Sequence, residues 1–234
     1  MRNFTKATIS IATAGLLAAS LAACSGSSSS DTGSSSSGSS ASSSPSATAQ
    51  ADPTPLASIP ALAGVDTQVT LDQSFLDAAT SLGVTLGLSG SAALNGATLS
   101  FPITGGNVDY YDPAEKYRPF VQGEIDHMGS GITLTAGETV VELSDFLIDP
   151  GTSRLTGTVK VNGEVAGTDV FIFNLDGSTL KPLAMDADGN AVLEGTRVLI
   201  SADAAPLLNE TFGITAIQPD MLVGIAKITA KAAA

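Results

Sequence analysis

The chain has 234 residues and an acidic balance, with 23 Asp and Glu against 10 Lys and Arg and a formal net charge of −13. Nucleic acids and anionic lipid surfaces are bound through basic patches, so the composition excludes both as electrostatic partners. The chain has one Cys and one His. An internal disulfide framework is therefore excluded, and few groups are left for nucleophilic or metal chemistry.

The first 23 residues have the layout of a secretory signal. Arg2 and Lys6 precede an apolar run of about 17 residues, and small residues close that run ahead of Cys24. An uncleaved membrane anchor is the alternative, although the run lies at the short end of the spanning range. Loss of residues 1–23 removes two basic and no acidic residues, which leaves 8 basic against 23 acidic residues and a net charge of −15.

Residues 21–24, Leu-Ala-Ala-Cys, resemble the lipobox of bacterial lipoproteins. The resemblance implies that a signal peptide, residues 1–23, is cleaved between Ala23 and Cys24 and that Cys24 is acylated. It also implies localisation at the outer face of the cell membrane, where the acyl chains hold the protein in the extracytoplasmic space. The membrane is thus an expected partner through the lipid, and nucleic acid is not an expected partner.

Residues 24–61 predict a disordered tether that begins at the lipidated Cys24. Serine dominates residues 25–46, and proline-spaced segments such as Asp52-Pro53-Thr54-Pro55 follow. Such a composition buries too little apolar surface to offset the entropy of the chain. The remaining residues, 62–234, are enough for a single β-rich extracytoplasmic domain with its own core.

Apolar and polar positions alternate between turn signals through most of residues 62–234. Asn162-Gly163 is the strongest hairpin signal, because both residue types tolerate positive φ. The predicted fold class is mainly β, an antiparallel sandwich or barrel with two short helices. The predicted strands are Phe120–His127, Thr139–Ile148, Arg154–Val161, Val165–Asn174, Ala191–Glu194, Arg197–Ser201 and Leu222–Thr229.

Two helices are predicted between the strands, Asp72–Leu82 and Asp203–Phe212. Each begins with an Asp that can act as N-cap, and each ends before a Gly that can adopt a left-handed conformation. The sequences that flank the two helices also match each other. This similarity indicates either a strand–helix–strand unit used twice or a chance likeness of amphipathic segments.

The segment Tyr110–Pro119 is too polar and too rich in proline for a strand, so it predicts a loop. It carries all three tyrosines of the chain, Tyr110, Tyr111 and Tyr117, together with Arg118. One interpretation is that these rings cover one end of the sheet. The other is that the loop forms part of a ligand-binding site.

His127 is predicted to end a strand ahead of the flexible segment Gly129-Ser130-Gly131. A hydrogen-bonded histidine of the interior and a ligand-binding histidine both fit this position.

The chain has no Gly-x-Ser-x-Gly motif, so no catalytic residue is assigned, and a hydrolase is the least favoured function. Residues 186–190 resemble part of a calcium loop, but Ala and Gly occupy the first and last ligand positions, which favours a hairpin turn.

Three stretches resemble a widespread group of exported bacterial proteins that have no established activity. The stretches are Phe101–Asn107, Val121–Gly131 and Val141–Phe146, and the resemblance spans residues 69–229. It implies an exported β-rich domain and carries no information on catalysis.

A more distant resemblance is to HtaA-type haem-binding domains, carried by Gly123, His127, Gly129 and the strands that follow. Those domains bind haem through a tyrosine on an N-terminal helix and a histidine in this motif, and the histidine corresponds to His127. The position that corresponds to the tyrosine is Ala78, whose side chain cannot ligate iron. A tyrosine of the Tyr110–Pro119 loop would have to replace it.

The sequence therefore favours a membrane-anchored lipoprotein with a non-catalytic interaction or structural domain. It assigns no metal and no cofactor, and it does not identify the protein or small-molecule partner. The alternative is binding of haem or another small apolar ligand. The candidate ligand-binding residues are Tyr110, Tyr111, Tyr117, Arg118 and His127.

Overall fold

A computed structural model describes residues 53–115 and 117–233. The predicted signal peptide, the cleavage site at Ala23, the acylation site at Cys24 and most of the predicted tether lie outside the described residues. Their assignments therefore remain predictions. None of the helices in the described ranges is long and apolar enough to cross a membrane.

The described chain is built mainly from strands, with two α-helices and one 3₁₀ turn at Gly177–Thr179. The helices are α1 (Gln73–Ser81) and α2 (Ala204–Phe212). The strands are β1 (Ala57–Ile59), β2 (Leu62–Leu71), β3 (Thr85–Gly90), β4 (Ala93–Asn95), β5 (Thr98–Pro102), β6 (Gly105–Tyr110), β7 (Val121–Ala136), β8 (Thr139–Asp149), β9 (Arg154–Val161), β10 (Glu164–Asp176), β11 (Ala184–Met185), β12 (Ala191–Ile200) and β13 (Leu222–Ala232).

All described strands belong to one antiparallel 13-stranded sheet. Its order is β1-β6-β7-β8-β9-β10-β12-β13-β2-β5-β4, with β3 added on β7 and β11 on β12. The sheet folds over so that β2 faces β7, since Thr67 on β2 contacts His127 on β7. The Phe101 and Phe146 rings, on β5 and β8, also meet edge to face at 5.4 Å. The two halves thus share one core, and the predicted mainly β, sandwich-like class is confirmed.

The domain includes residues that the sequence places in the tether. Ala57–Ile59 form β1, which pairs with β6 in the register Ala57 to Tyr110 and Ile59 to Val108. Short apolar residues in a proline-spaced segment are sufficient for this strand because β6 supplies the hydrogen-bonding edge.

The predicted strand end at His127 is wrong, because β7 continues through Gly129-Ser130-Gly131 to Ala136. The pairing of β7 with β8 shifts in register between His127 and Gly131, so the glycine-rich segment is a bulge within a long strand. A Cβ on Gly131 would lie 2.3 Å from the carbonyl oxygen of Leu143. Glycine is therefore required there for close contact between strands rather than for loop flexibility.

The helix ends agree only partly with the predicted caps. Asp72 caps α1 as predicted, since its carboxylate accepts a hydrogen bond of 2.9 Å from the Ser74 N–H. Asp203 makes no side-chain capping bond at α2, and that prediction is wrong. The Ser201 Oγ instead accepts a hydrogen bond of 2.9 Å from the Ala204 N–H. Strand–helix–strand order occurs twice, as β2–α1–β3 and β12–α2–β13, with a longer connection after α2.

Candidate functional site

His127 lies in the core of the domain, with its side chain 1% exposed. Its Nε2 lies 2.8 Å from Thr67 Oγ1, and its Nδ1 makes no hydrogen bond to any described residue. Burial lowers the pKa of His127 to about 4, so the imidazole is neutral near pH 7. In this position His127 links the two halves of the sheet and does not face solvent.

A small cavity lies beside His127 and is bordered also by Thr67, Phe101 and Phe146. Its volume is about 40 Å³. Small-molecule sites usually measure about 300–1,000 Å³, so this cavity holds water-sized occupants at most. The core around His127 is thus packed, without room for a haem.

Tyr110 is a core residue, and its predicted position in a loop is wrong. It is the last residue of β6 and is 6% exposed. Its ring meets Phe120 edge to face at 5.9 Å, and its hydroxyl oxygen accepts a hydrogen bond of 3.4 Å from the Leu183 N–H. Tyr110 therefore fills one end of the sheet, as aromatic residues with one polar atom commonly do.

Tyr111 and Tyr117 pack on each other in the loop between β6 and β7. Their ring centres are 4.6 Å apart and the planes are tilted by 57°. Both side chains are half-buried. The two rings are thus in contact with each other across the loop, and they do not form a flat stacking surface.

Arg118 holds this loop in shape. Its guanidinium donates hydrogen bonds of 2.7 Å to the Pro113 carbonyl, 2.7 Å to the Glu115 carbonyl and 2.8 Å to the Tyr117 carbonyl. It also lies 5.4 Å from the centre of the Phe120 ring. These bonds use most of the donors of the side chain, so its observed role is structural.

The structure does not bring Tyr110 and His127 into one site. Tyr110 pairs with Val121, and His127 follows six residues later on β7. At about 3.3 Å per residue in a strand, the two side chains stand roughly 20 Å apart. One iron cannot be ligated by both. The cavity below the loop, lined in part by Pro119 and Phe120, has a volume of about 110 Å³ and is also too small for a haem.

A further cavity lies between the two helices, and we call it the helix groove. Its volume is about 380 Å³. The polar side chains in its lining are Thr80 and Thr85. The apolar side chains that line it include Phe75, Leu76, Ala78, Ala79, Leu82, Val84, Leu86, Leu134, Ile200, Leu208, Phe212, Ile217 and Met221.

The helix groove follows from the strand order. β2 and β12 both pair with β13, and they end beside its first residues, at Leu71 and Ile200. Because α1 follows β2 and α2 follows β12, both helices start at the same end of the sheet. None of the residues of α1 is fully buried, so its apolar face remains partly open toward the groove.

The sequence contained one signal for the groove, the apolar faces of two helices, but that pattern also fits ordinary core packing. Ala78, where the resemblance to haem-binding domains places a tyrosine, lies in the groove lining. His127 does not line the groove. The position of the groove depends on strand pairing between residues that are distant in sequence, which periodicity alone does not give.

The turn at Asp186 is stabilised by hydrogen bonds within the protein. The Asn190 side-chain amide donates to its carboxylate at 2.8 Å, and the N–H groups of Asn190 and Asp188 donate at 2.8 and 2.9 Å. These bonds, that of the Asn190 amide first, lower the pKa of Asp186. Among the described residues, no group of three or more His, Cys, Asp or Glu side chains is placed to hold a metal ion.

Comparison with known proteins gives a fold-level likeness. No protein-family model matches the chain, and no curated protein matches it. The C-terminal domain of HtaA from Corynebacterium glutamicum has a TM-score of 0.49 and 16% identity, covering 74% of this chain and 99% of that domain. The N-terminal domain of the same protein has a TM-score of 0.49 and 12% identity, with the same coverage. The chain is thus distantly similar to HtaA domains in its β-rich fold.

Proposed function

We propose that this chain is a non-catalytic binding protein of the extracytoplasmic space, anchored by lipid on Cys24, whose β-rich domain takes a small apolar ligand in the helix groove. The observation that carries the ligand site is the groove itself. Its volume of about 380 Å³ falls in the usual range of small-molecule sites. Its apolar lining with two threonine hydroxyls favours a ligand that is largely hydrocarbon.

The state of the helix α1 supports this proposal. Phe75, Leu76 and Ala79 turn toward the groove, yet no residue of α1 is fully buried. Partly exposed apolar side chains on one helix face gain favourable free energy when a ligand removes them from water. A ligand in the groove would therefore complete the packing between α1 and α2.

The surroundings of the ionisable groups support a non-catalytic role. The single histidine is sealed in the core and is neutral, so it has no access to a substrate in solvent. The helix groove is lined by no acidic, basic or histidine side chain. Binding in the groove thus relies on apolar contact and shape.

Fluorescence titration with N-phenyl-1-naphthylamine, a neutral apolar dye, tests the ligand site. We expect saturable binding with enhanced emission. Ala78→Phe places a ring in the groove, and we expect it to weaken dye binding by about tenfold or more, which corresponds to roughly 1.4 kcal/mol. Emission that rises without saturation would contradict the proposal.

Ser81→Phe is the matched control for Ala78→Phe. Ser81 is an exposed residue of the same helix and does not line the groove. The substitution adds the same ring to α1 on its solvent side, so dye affinity should stay within about twofold of the parent value. Equal loss of affinity in both variants would assign the effect to the helix fold and not to the groove.

Haem is the alternative ligand that the sequence resemblance raises. The apolar walls of the groove suit the faces of a flat ring, and Ala78 lies in its lining. Met221 is the one side chain of the lining with an iron-ligating atom, its thioether sulfur, so haem in this groove would rest mainly on apolar contacts. A saturable Soret shift with hemin that Ala78→Phe abolishes and His127→Ala leaves unchanged would favour haem over other apolar ligands. No such shift would exclude it.

A further inference from the structure

A second cleft shares no lining residue with the helix groove, and we call it the Arg154 cleft. Its volume is about 290 Å³. Its lining is polar, unlike that of the helix groove. The residues that line it are Thr152, Arg154, Phe171, Asn174, Ala202 and Asp220.

Arg154 is the cationic group of this cleft and is free to bind an anion. Its guanidinium lies over the Phe171 ring, with the central carbon Cζ 4.5 Å from the ring centre. In the described part of the chain it makes no hydrogen bond and no ion pair. The other two described arginines are occupied, Arg118 by backbone carbonyls and Arg197 by Asp176 at 2.8 Å.

Stacking prepares Arg154 for recognition of a carboxylate. An aromatic face holds the planar guanidinium in one orientation while its N–H edge remains available. Two parallel N–H donors then match the two oxygens of a carboxylate. Contact with the ring restricts the guanidinium, so less side-chain entropy is lost on binding.

The cleft also contains an acceptor for a positive group. Asp220 lines the cleft, and its carboxylate makes no hydrogen bond and no ion pair within the described residues. Asp220 and Arg154 thus share one cleft without contacting each other. Asn174 pairs with Arg154 across β9 and β10 and adds a side-chain amide, also without a described partner. A ligand that carries one negative and one positive group would satisfy both charged groups.

The walls of the cleft are fixed by hydrogen bonds of their own. Thr152 donates its hydroxyl hydrogen to Asp149 at 2.7 Å. Ser201, next to Ala202, donates to the Phe171 carbonyl at 2.6 Å. The Asp220 N–H donates to the Ile200 carbonyl at 2.8 Å. The backbone of the cleft is therefore held in place before any ligand binds, and the side chains of Arg154 and Asp220 are free to turn toward a ligand.

We propose that the Arg154 cleft binds a zwitterion of the amino-acid class. Arg154 pairs with the ligand carboxylate, and Asp220 pairs with the ligand ammonium group. Asn174 donates a hydrogen bond from its amide to the carboxylate. The ligand side chain extends out of the cleft toward solvent. This site is separate from the helix groove, so it does not depend on the function proposed for that groove.

Titration of the full chain, purified in mild detergent, with L-alanine tests the site. Backbone amide shifts in ¹⁵N–¹H NMR spectra are followed at Thr152, Phe171 and Ala202. We expect saturable shifts at these amides. Propionate lacks the ammonium group and ethylamine lacks the carboxylate, so each should bind about tenfold more weakly than L-alanine. Absence of saturable shifts with L-alanine would overturn the proposal, and so would equal affinity for all three probes.

Two variants assign the contacts. Arg154→Gln should weaken L-alanine binding by at least about tenfold, whereas Lys181→Gln, which removes an exposed charge elsewhere, should leave it unchanged.

Asp220→Asn should weaken L-alanine binding and leave propionate binding unchanged or improved. Asn suits this position because Asp220 has φ of 62°, which Asn tolerates. This variant keeps the test valid if Arg154→Gln disturbs the fold, and full L-alanine affinity in it would contradict the assigned ammonium contact.

Discussion

Thr67 on β2 and His127 on β7 are joined across the core by a contact of 2.8 Å between Oγ1 and Nε2. Both side chains are buried, at 3% and 1% exposure. The two strands lie far apart in the strand order of the sheet, so this contact fixes how one half of the sheet lies over the other. Thr67 Oγ1 and His127 Nε2 are each other's hydrogen-bond partner. A different packing of the two halves of the sheet would leave both atoms buried and unpaired, which makes the observed arrangement specific.

The pH dependence of folding should report on His127. Its pKa is about 4 in the folded protein against 6.5 in an unfolded chain, so the unfolded chain takes up a proton first as pH falls. Stability should be constant with respect to this group above about pH 6.5 and should decrease between pH 6.5 and 4. We expect a loss of about 2–3 kcal/mol at pH 4.5 relative to pH 7.5 in urea unfolding.

The control for this pH dependence is His127→Leu, which removes the titrating group. The variant should be less stable at pH 7.5, because Thr67 loses its partner, but it should lose less stability on acidification. Equal pH dependence in the parent and the variant would show that carboxylates, such as Asp176 with its lowered pKa, account for the acid sensitivity instead.

Removal of the Thr67 hydroxyl should lower the free energy of unfolding by more than the small size of the group implies. Thr67→Val keeps the shape of the side chain but leaves His127 Nε2 buried without a partner, at a cost of about 1–3 kcal/mol. Thr70→Val on the same strand is the matched control. Thr70 is exposed and contacts Thr98 at 3.2 Å, so its substitution should change the free energy of unfolding by less than about 0.5 kcal/mol. Similar losses in both variants, measured by urea unfolding, would contradict the importance of the Thr67–His127 pair.

Local sequence chemistry was sufficient to predict several elements of this fold. β9 has the predicted bounds, Arg154–Val161, and Asn162 and Gly163 both have positive φ in the turn that follows it. The N-cap at Asp72 was also predicted correctly. In each case the decisive interactions lie within a few residues along the chain, where turn and capping preferences operate.

Features that depend on neighbouring strands could not be predicted in this way. Gly129 and Gly131 suggest a loop, but Gly131 is required because β8 approaches too closely for a side chain. Within β8, Asp145 has φ of 54°, and the bulge there places both Leu143 and Phe146 in the core, which breaks strict alternation. A bulge changes the face of all later residues, and its position is set by the partner strand.

The candidate sites illustrate the same limit. The sequence grouped Tyr110 with His127 because both lie in an unusual segment, but their separation depends on the β6–β7 register. The helix groove depends on β13 pairing with both β2 and β12, strands more than 100 residues apart in the chain. Neither the distance between Tyr110 and His127 nor the pairing of β13 with β2 and β12 can be inferred from residue types.

Arg118 should control the order of the loop between β6 and β7. Arg118→Ala removes three hydrogen bonds to loop carbonyls and the contact with Phe120, and the β-sheet core lies outside these contacts. We expect the protection of the Glu115 amide against hydrogen exchange to fall by about tenfold or more, with little change in core amides such as that of Val141. Lys227→Ala, which removes a lysine of β13 that makes none of these bonds, is the control and should leave Glu115 protection unchanged.

Loss of protection throughout the sheet in Arg118→Ala would contradict a local role for the arginine. Unchanged protection of Glu115 would show that other contacts hold the loop. The exchange measurement follows the Glu115 N–H, which donates a backbone hydrogen bond of 3.0 Å to the Asp112 carbonyl.

The attachment of the protein to the membrane should depend on one sulfur atom. Mass spectrometry of the native protein should find Cys24 as the first residue, with acyl chains attached, and the protein should fractionate with membranes. Cys24→Ser should abolish the modification and release the chain from the membrane, because a negatively charged domain has no attraction for anionic lipid to replace the acyl chains.

A Ser46→Cys substitution added to Cys24→Ser restores a thiol without the Leu-Ala-Ala-Cys context, and it should stay unmodified. Membrane retention of Cys24→Ser, or a native protein with residues 1–23 still attached, would contradict lipid anchoring.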